Sequence, residues 1–356
     1  MTRRPSLRGA ALLAALACCA AHALAQTTAP AAAPTPTPRA LKVVVISMFE
    51  PEAAPWIAPF ALTEKIRVPG LSPDHPELRC NTDDVCQMTV GMGHTNAAAS
   101  TLALTLDPQF DLRRTYFLVA GISGIDPMQG TLGAATWARW LVNFGIAHEI
   151  DAREMPKHWK NGYYGILTKG PGEKPKFEYR TEAARLHEPL VQKVLALTKD
   201  APLADSKEAQ AYRARYREAA ARAAPKVMQC DTLGGDTWWH GHRLGQHARD
   251  WAKLMTDGQA TYCTTQQEDN ATYNALERAA AAGKADLKRL MVLRTGSNFD
   301  RPYPGQSAHA SLLASGNGGT GGFVPATQNL VVVGGIVVRD IVKNWSQWQL
   351  GVPVDR

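Results

Sequence analysis

Two stretches late in the chain carry side chains of the kinds that grip a small polar ligand. The first is Gln267-Glu268-Asp269-Asn270-Ala271, and the second is Leu293-Arg294-Thr295-Gly296-Ser297-Asn298-Phe299-Asp300. A carboxylate such as Glu268 can accept from the vicinal hydroxyls of a sugar, and an amide or acid at Asn298 or Asp300 can bond a heteroaromatic ring. The first stretch leads into a helical pattern and the second follows the apolar run Leu290–Leu293. Both therefore fall at strand ends, where α/β sheets converge polar groups on a ligand. Simpler roles compete with these. Glu268 could cap the following helix, and Asn298 could be a turn residue in Gly-Ser-Asn.

Other residues add to the constellation. Gly91-Met92-Gly93-His94 opens a small-residue helix and presents free backbone N–H groups. Gly93 and His94 are thus candidate contacts to a sugar or anion. Gly121 and Ser123 lie in a second glycine turn after the apolar run Tyr116–Ala120. Asp236 precedes two tryptophans and is either a ligand contact or a helix cap, while Phe299 or Trp238 offers a ring face for stacking. His240 and His242 are one residue apart with no acidic third ligand nearby, so they read as packing residues. No metal and no organic cofactor is called for. Gly316 to Gly322 lacks the Lys-Ser/Thr that follows a phosphate loop and reads as a surface loop or lid.

The elements that must position these groups follow an N-terminal export pattern. Arg3, Arg4 and Arg8 precede the apolar stretch 10–20, and Ala23-Leu24-Ala25 is a small-x-small cleavage pattern. Residues 1–25 read as a cleaved signal peptide, with the choice between the general and twin-arginine routes open, and 26–40 as a disordered Pro/Ala/Thr leader. The mature chain is then expected in the periplasm or outside the cell. Removing three arginines takes the formal charge from +7 to +4. With no Lys/Arg run interleaved with aromatics, nucleic-acid binding is not expected. Cys80, Cys86, Cys230 and Cys263 remain, an even count that favours disulfides in an exported protein. The first two could close a short loop and the last two a longer one, with the connectivity open and zinc the rival reading.

No stretch after the signal reaches the apolar length of a membrane helix, since Gly334-Gly335 interrupts the most apolar run, Leu330 to Val338. Apolar β-branched runs at 41–47, 116–120 and 290–293 alternate with helical patterns. This predicts one α/β domain over 41–356, a mostly parallel or mixed twisted sheet flanked by helices. Helices over 181–197 and 207–223 form an insertion at about 180–225.

Five segments in this order carry a resemblance. They are Ile46-Ser47-Met48-Phe49-Glu50-Pro51-Glu52, Gly91-Met92-Gly93-His94-Thr95-Asn96-Ala97-Ala98, Val119-Ala120-Gly121-Ile122-Ser123-Gly124-Ile125-Asp126-Pro127, Gly234-Gly235-Asp236-Thr237-Trp238-Trp239-His240-Gly241 and Gln267-Glu268-Asp269-Asn270-Ala271. From about Leu41 onward the chain resembles the nucleoside phosphorylase and nucleosidase superfamily. More narrowly, it is similar to the purine nucleoside permeases. The resemblance implies a nucleoside-phosphorylase-like fold, a purine nucleoside as ligand, and Glu268 on the ribose hydroxyls. It also implies that an acid which protonates purine N7 should stand where this chain has Asn298, with Asp300 as a possible substitute. Phosphorylases present glycine and arginine on the first-strand loop to hold phosphate, whereas Glu50 and Glu52 stand here. Carboxylates repel a phosphate dianion and resemble the water-activating loop of methylthioadenosine nucleosidases. Hydrolysis is therefore expected over phosphorolysis, with phosphate as the alternative co-substrate and non-catalytic nucleoside binding for uptake as the second class. Relatives of this kind form homo-oligomers, which the 180–225 insertion could obstruct.

Overall fold

The computed structural model describes residues 37–354. The signal-peptide expectation and most of the leader lie outside the described residues. Arg39 and Ala40, expected in the leader, instead pair with Phe110 and Asp111 as a short parallel ladder. Arg39 is held there by Glu64 at 2.7 Å and Asp84 at 3.1 Å.

Twelve strands make one mixed sheet. Seven carry or frame the site: β1 (Val43–Ser47), β2 (Val85–Thr89), β3 (Tyr116–Ile125), β4 (Trp140–Asn143), β5 (Asp231–Gly234), β6 (Tyr262–Gln266) and β7 (Leu290–Phe299). Around them run α1 (Glu50–Ile57), α2 (His94–Leu106), α3 (Glu188–Thr198), α4 (Lys207–Arg213), α5 (Ala219–Arg222), α6 (His242–Met255), α7 (Asp269–Ala281), α8 (Ala308–Gly316) and α9 (Phe323–Lys343). The order β4-β5-β6-β3-β1-β2 runs through the sheet, with β7 on the other edge of β3. The ladders are parallel except β6 on β3, which is antiparallel.

The continuous apolar reading of β1 has a direct cause. Val44 and Ile46 face a core shared with Ala97 and Leu104 of α2 and Leu276 of α7. Val43 and Val45 face a second core with Trp56 of α1, Val194 of α3 and Val333 and Val337 of α9. Both faces are covered, so no polar alternation survives in the sequence.

Several expected boundaries move. β3 and β7 both run ten residues, since each pairs with the other along its length. The Gly121–Gly124 turn and the Gly-Ser-Asn turn are therefore strand interior. The expected helix over 181–197 begins only at Glu188, with Pro189 in its first turn; residues Ala183–Arg185 instead add an antiparallel edge strand to β4. The one over 207–223 breaks into α4 and α5. The run interrupted by Gly334-Gly335 is a single 21-residue helix, α9. Among the described residues α9 is the one helix long and apolar enough to cross a membrane, and 61 % of that apolar window is buried in the protein. A Cβ on Gly334 would stand 2.8 Å from the Trp56 ring and 3.1 Å from Leu118. The glycine lets α9 lie close on the sheet rather than breaking it.

Both cysteine pairs are joined. Cys80–Cys86 bridges β2 to its antiparallel neighbour Glu77–Cys80, and Cys230–Cys263 ties the residue before β5 to β6.

Candidate active site

The N-terminal part of β3 lies beside β1 over Tyr116–Val119, and β6 joins at Gly124 and Ile125. Between them, Ala120–Ser123 has no strand on that edge. A cavity of about 250 Å³ opens there, of small-molecule scale. Its walls come from the β1–α1 turn, the end of β3, the β6–α7 turn and the end of β7. Divergence of neighbouring strands from a common one is where α/β sheets place ligands.

Side chains close the open edge. The Ile122 N–H donates to Glu52 Oε1 at 2.7 Å, and the Ile122 carbonyl accepts from Arg294 Nη1 at 3.0 Å. Glu52 Oε2 accepts from the Met48 N–H at 2.8 Å. Arg294 is 2 % exposed and donates from Nη2 to Glu268 at 3.0 Å and to Asp269 at 2.6 Å. Three carboxylates thus gather around one guanidinium. Burial pushes the Glu52 carboxyl up to about 8, against the pull of Arg294 and its two backbone donors and with help from Glu268. Burial works against the charge on Arg294, yet Asp269 and Glu268 hold that side chain firmly cationic.

Glu268 does not cap α7. The Gln266 Oε1 does so, accepting from the N–H groups of Glu268 at 2.7 Å and Asp269 at 2.8 Å. The Glu268 carboxylate is left to face the cavity, held by the Gly93 N–H at 3.1 Å and by Arg294. Asn298 and Ser297 also line the cavity. A bulge in β7 at Ser297 lets both consecutive side chains do so. Asn298 Nδ2 donates to the Phe299 carbonyl at 3.0 Å, and Ser297 Oγ donates to Asn298 Oδ1 at 3.1 Å. Ser123 lines the floor and donates to the Thr295 carbonyl. Phe49, Trp238, Trp239 and Phe323 supply the aromatic surface.

Other expected contacts lie elsewhere. Glu50 is exposed in the first turn of α1, away from the cavity, where its charge suits the helix N-terminus. Asp300 is buried outside the cavity with both oxygens engaged, by Arg301 at 2.6 Å and by the Tyr262 hydroxyl at 2.7 Å, so it is no substitute acid. Phe299 packs on Tyr216 with ring centroids 4.1 Å apart, beside Ile125 and Leu132, and does not line the cavity. Gly121 does not reach the cavity. A Cβ there would meet Met48 and stand 2.6 Å from Arg294 Nη1, so the glycine makes room for the arginine. Asp236 is exposed and accepts from the His94 N–H at 2.7 Å, holding the start of α2. Gly93 and His94 thus act through their backbone.

The central residue that sequence reasoning passed over is Arg294. Its signal was a single cation inside the apolar strand Leu290–Leu293-Arg294, with two adjacent acids at Glu268-Asp269. A buried charge requires such a partner.

The family profile described as purine nucleoside permease (NUP) matches residues 40–353. A purine nucleoside permease of Candida albicans is 39% identical over 311 residues, covering 86% of this chain and 76% of that protein. A probable purine nucleoside permease of Schizosaccharomyces pombe is 38% identical over 320 residues, covering 86% of this chain and 90% of that protein. Among solved structures, a 5'-methylthioadenosine/S-adenosylhomocysteine nucleosidase from Neisseria meningitidis, in complex with methylthio-immucillin-A, superposes with a TM-score of 0.51. It is 13% identical and covers 84% of this chain and 99% of its own. A futalosine hydrolase of Helicobacter pylori gives a TM-score of 0.50 at 12% identity, covering 84% of this chain and 98% of its own. At these identities the likeness is one of fold.

Proposed function

The chain belongs to the purine nucleoside permease family, and from that premise we propose that it is an exported protein that binds purine nucleosides and cleaves their N-glycosidic bond with water. The observation that carries this reading is the convergence of Glu52 and Glu268 on one cavity whose arginine is committed to other partners. Arg294 is tied to Asp269, Glu268 and the Ile122 carbonyl, and a surplus of carboxylates repels a phosphate dianion. The same surplus favours the positive charge that grows on the sugar as the bond breaks.

In the reaction, Glu268 holds the ribose hydroxyls. The bond between the anomeric carbon and the purine nitrogen breaks, its electron pair leaving with the base. The oxygen of a water adds to the anomeric carbon, and ionised Glu52 takes a proton from that water. Asn298 donates a hydrogen bond to the departing ring. An amide has no proton to give up, so the base collects its proton from solvent, and Glu52 returns its own there. The two disulfides and the basic, then apolar, N-terminus support export. Cleavage outside the inner membrane would deliver free base to other carriers, which reconciles an enzyme with relatives named permeases.

A second reading rests on Asn298 itself. With an amide in place of the acid, the site could hold a nucleoside for uptake without cutting it. The deciding experiment is chromatography of inosine and adenosine after incubation with the mature protein, with and without phosphate. Free base and free ribose without phosphate, lost in Glu268→Gln, is the expected result. Release that requires phosphate overturns hydrolysis, and nucleoside bound by calorimetry but never cleaved leaves a binding protein.

A further inference from the structure

Asp269 is a buried acid that the mechanism above does not use. It is fully buried in the first turn of α7 and does not line the cavity, but it bonds Arg294, which does. Its contact is a fork: Arg294 Nη2 lies 2.6 Å from Oδ1, and Nε lies 3.2 and 3.3 Å from the two oxygens. Glu268 accepts from the same Nη2, and the Ile122 carbonyl accepts from Nη1. A second carboxylate is therefore more than Arg294 needs to be neutralised, and burying it is costly.

We propose that Asp269 is a positioning residue that clamps Arg294 and adds a second negative charge to the Arg294–Glu268 pair, so that Glu52 faces a net-anionic cluster rather than a neutral pair. The inference rests on the reading of Glu52 as the group that exchanges a proton with water. The charged and titratable groups facing Glu52 are few. Arg294 comes from β7 and Glu268 from the β6–α7 turn, while Asp269 of α7 adjoins Arg294 and Glu268, with His94 from the start of α2 near it. Arg339 of α9 is turned away and stacks on Phe60 beyond the end of α1. Backbone N–H groups of Met48 and Ile122 are the remaining partners. Among the described residues Arg294 is the one cation acting on Glu52, so the degree to which its charge is cancelled sets how readily Glu52 ionises. A carboxylate that loses its proton only near neutral pH or above is a stronger base toward water than an ordinary one.

The test reads Glu52 directly, without substrate. In the mature protein labelled with ¹³C at the glutamate carboxyl, the Glu52 resonance is identified by its loss in Glu52→Gln and followed through a pH titration. The wild-type midpoint is expected near 8. In Asp269→Asn it should fall by about one unit or more, because losing one negative charge leaves the pull of Arg294 less opposed, and a close opposite charge moves a carboxyl by about 1–3 units. In Arg294→Gln it should rise instead. Opposite shifts in the two variants are a signature that simple loosening of the site does not produce. An unchanged midpoint in Asp269→Asn, or shifts of the same sign in both, overturns the proposal. Should Asp269→Asn fail to fold, a wild-type midpoint in the ordinary carboxylate range overturns it alone. Because no turnover is involved, a protein that binds nucleosides without cleaving them leaves this readout intact.

Discussion

Asn298 is the residue on which the proposed chemistry turns. It lines the cavity that Glu268 also lines, and it presents an amide where the proposed cleavage would gain from an acid. Asn298→Asp places a third carboxyl among Glu52 and Glu268, and crowding with like charges makes that newcomer hold its proton. It could then act as a general acid, a contribution of about 10²–10⁴-fold in favourable cases. Single-turnover release of base from inosine should accelerate at least about tenfold in this variant. A slower rate would mean that the amide itself is the group the reaction needs. At this scale the sequence was informative for Glu52, Glu268 and Asn298, whose motifs are short and local. It misled at Asp300 and Phe299, because Gly-Ser-Asn looks like a turn and hides a bulged strand. Only when β7 is seen to continue to Phe299 does it emerge that Asn298 faces the cavity while its two successors pack elsewhere.

At the scale of elements, the buried strands were legible and the sheet edges were not. β1 and the first halves of β3 and β7 are apolar on both faces and declare themselves. Ala183–Arg185 is short, half-buried and charged, and only its pairing with β4 makes it a strand. The Gly334-Gly335 pair illustrates the same limit. In isolation it reads as a break, but α9 needs a bare backbone there to approach Trp56, Leu118 and Leu293. Gly334→Leu would force those side chains apart, an overpacking cost of about 1–3 kcal/mol. The expected outcome is a lower midpoint in thermal unfolding with helix content retained. An unchanged midpoint would mean that α9 is not seated on the sheet as described.

The whole molecule is stapled at two unequal places. Cys80–Cys86 closes six residues within one hairpin, whereas Cys230–Cys263 closes 33 and links β5 to β6, the strand that leads into Glu268. Loop-closure entropy makes the longer bridge worth about 1–2 kcal/mol more. The paired change Cys230→Ala with Cys263→Ala should therefore cost more stability in urea titrations than Cys80→Ala with Cys86→Ala. Equal losses would count against the longer bridge as a global restraint. The sequence supplied the even count and the plausible loops, but spacing alone could not choose among pairings.

The unpaired edge of β3 carries a consequence for descent. Ile122 depends on Glu52 for its N–H and on Arg294 for its carbonyl, so these two side chains are part of the sheet as well as of the site. A lineage that gave up chemistry and kept only capture of its ligand would still be obliged to retain both, or Ile122 on its central strand would lose the partners on that edge. Their survival in any descendant is therefore silent about turnover. Asn298, whose side chain bonds only to its immediate neighbours in the chain, is free to drift, and it is at that position that a history of gained or lost catalysis would be written.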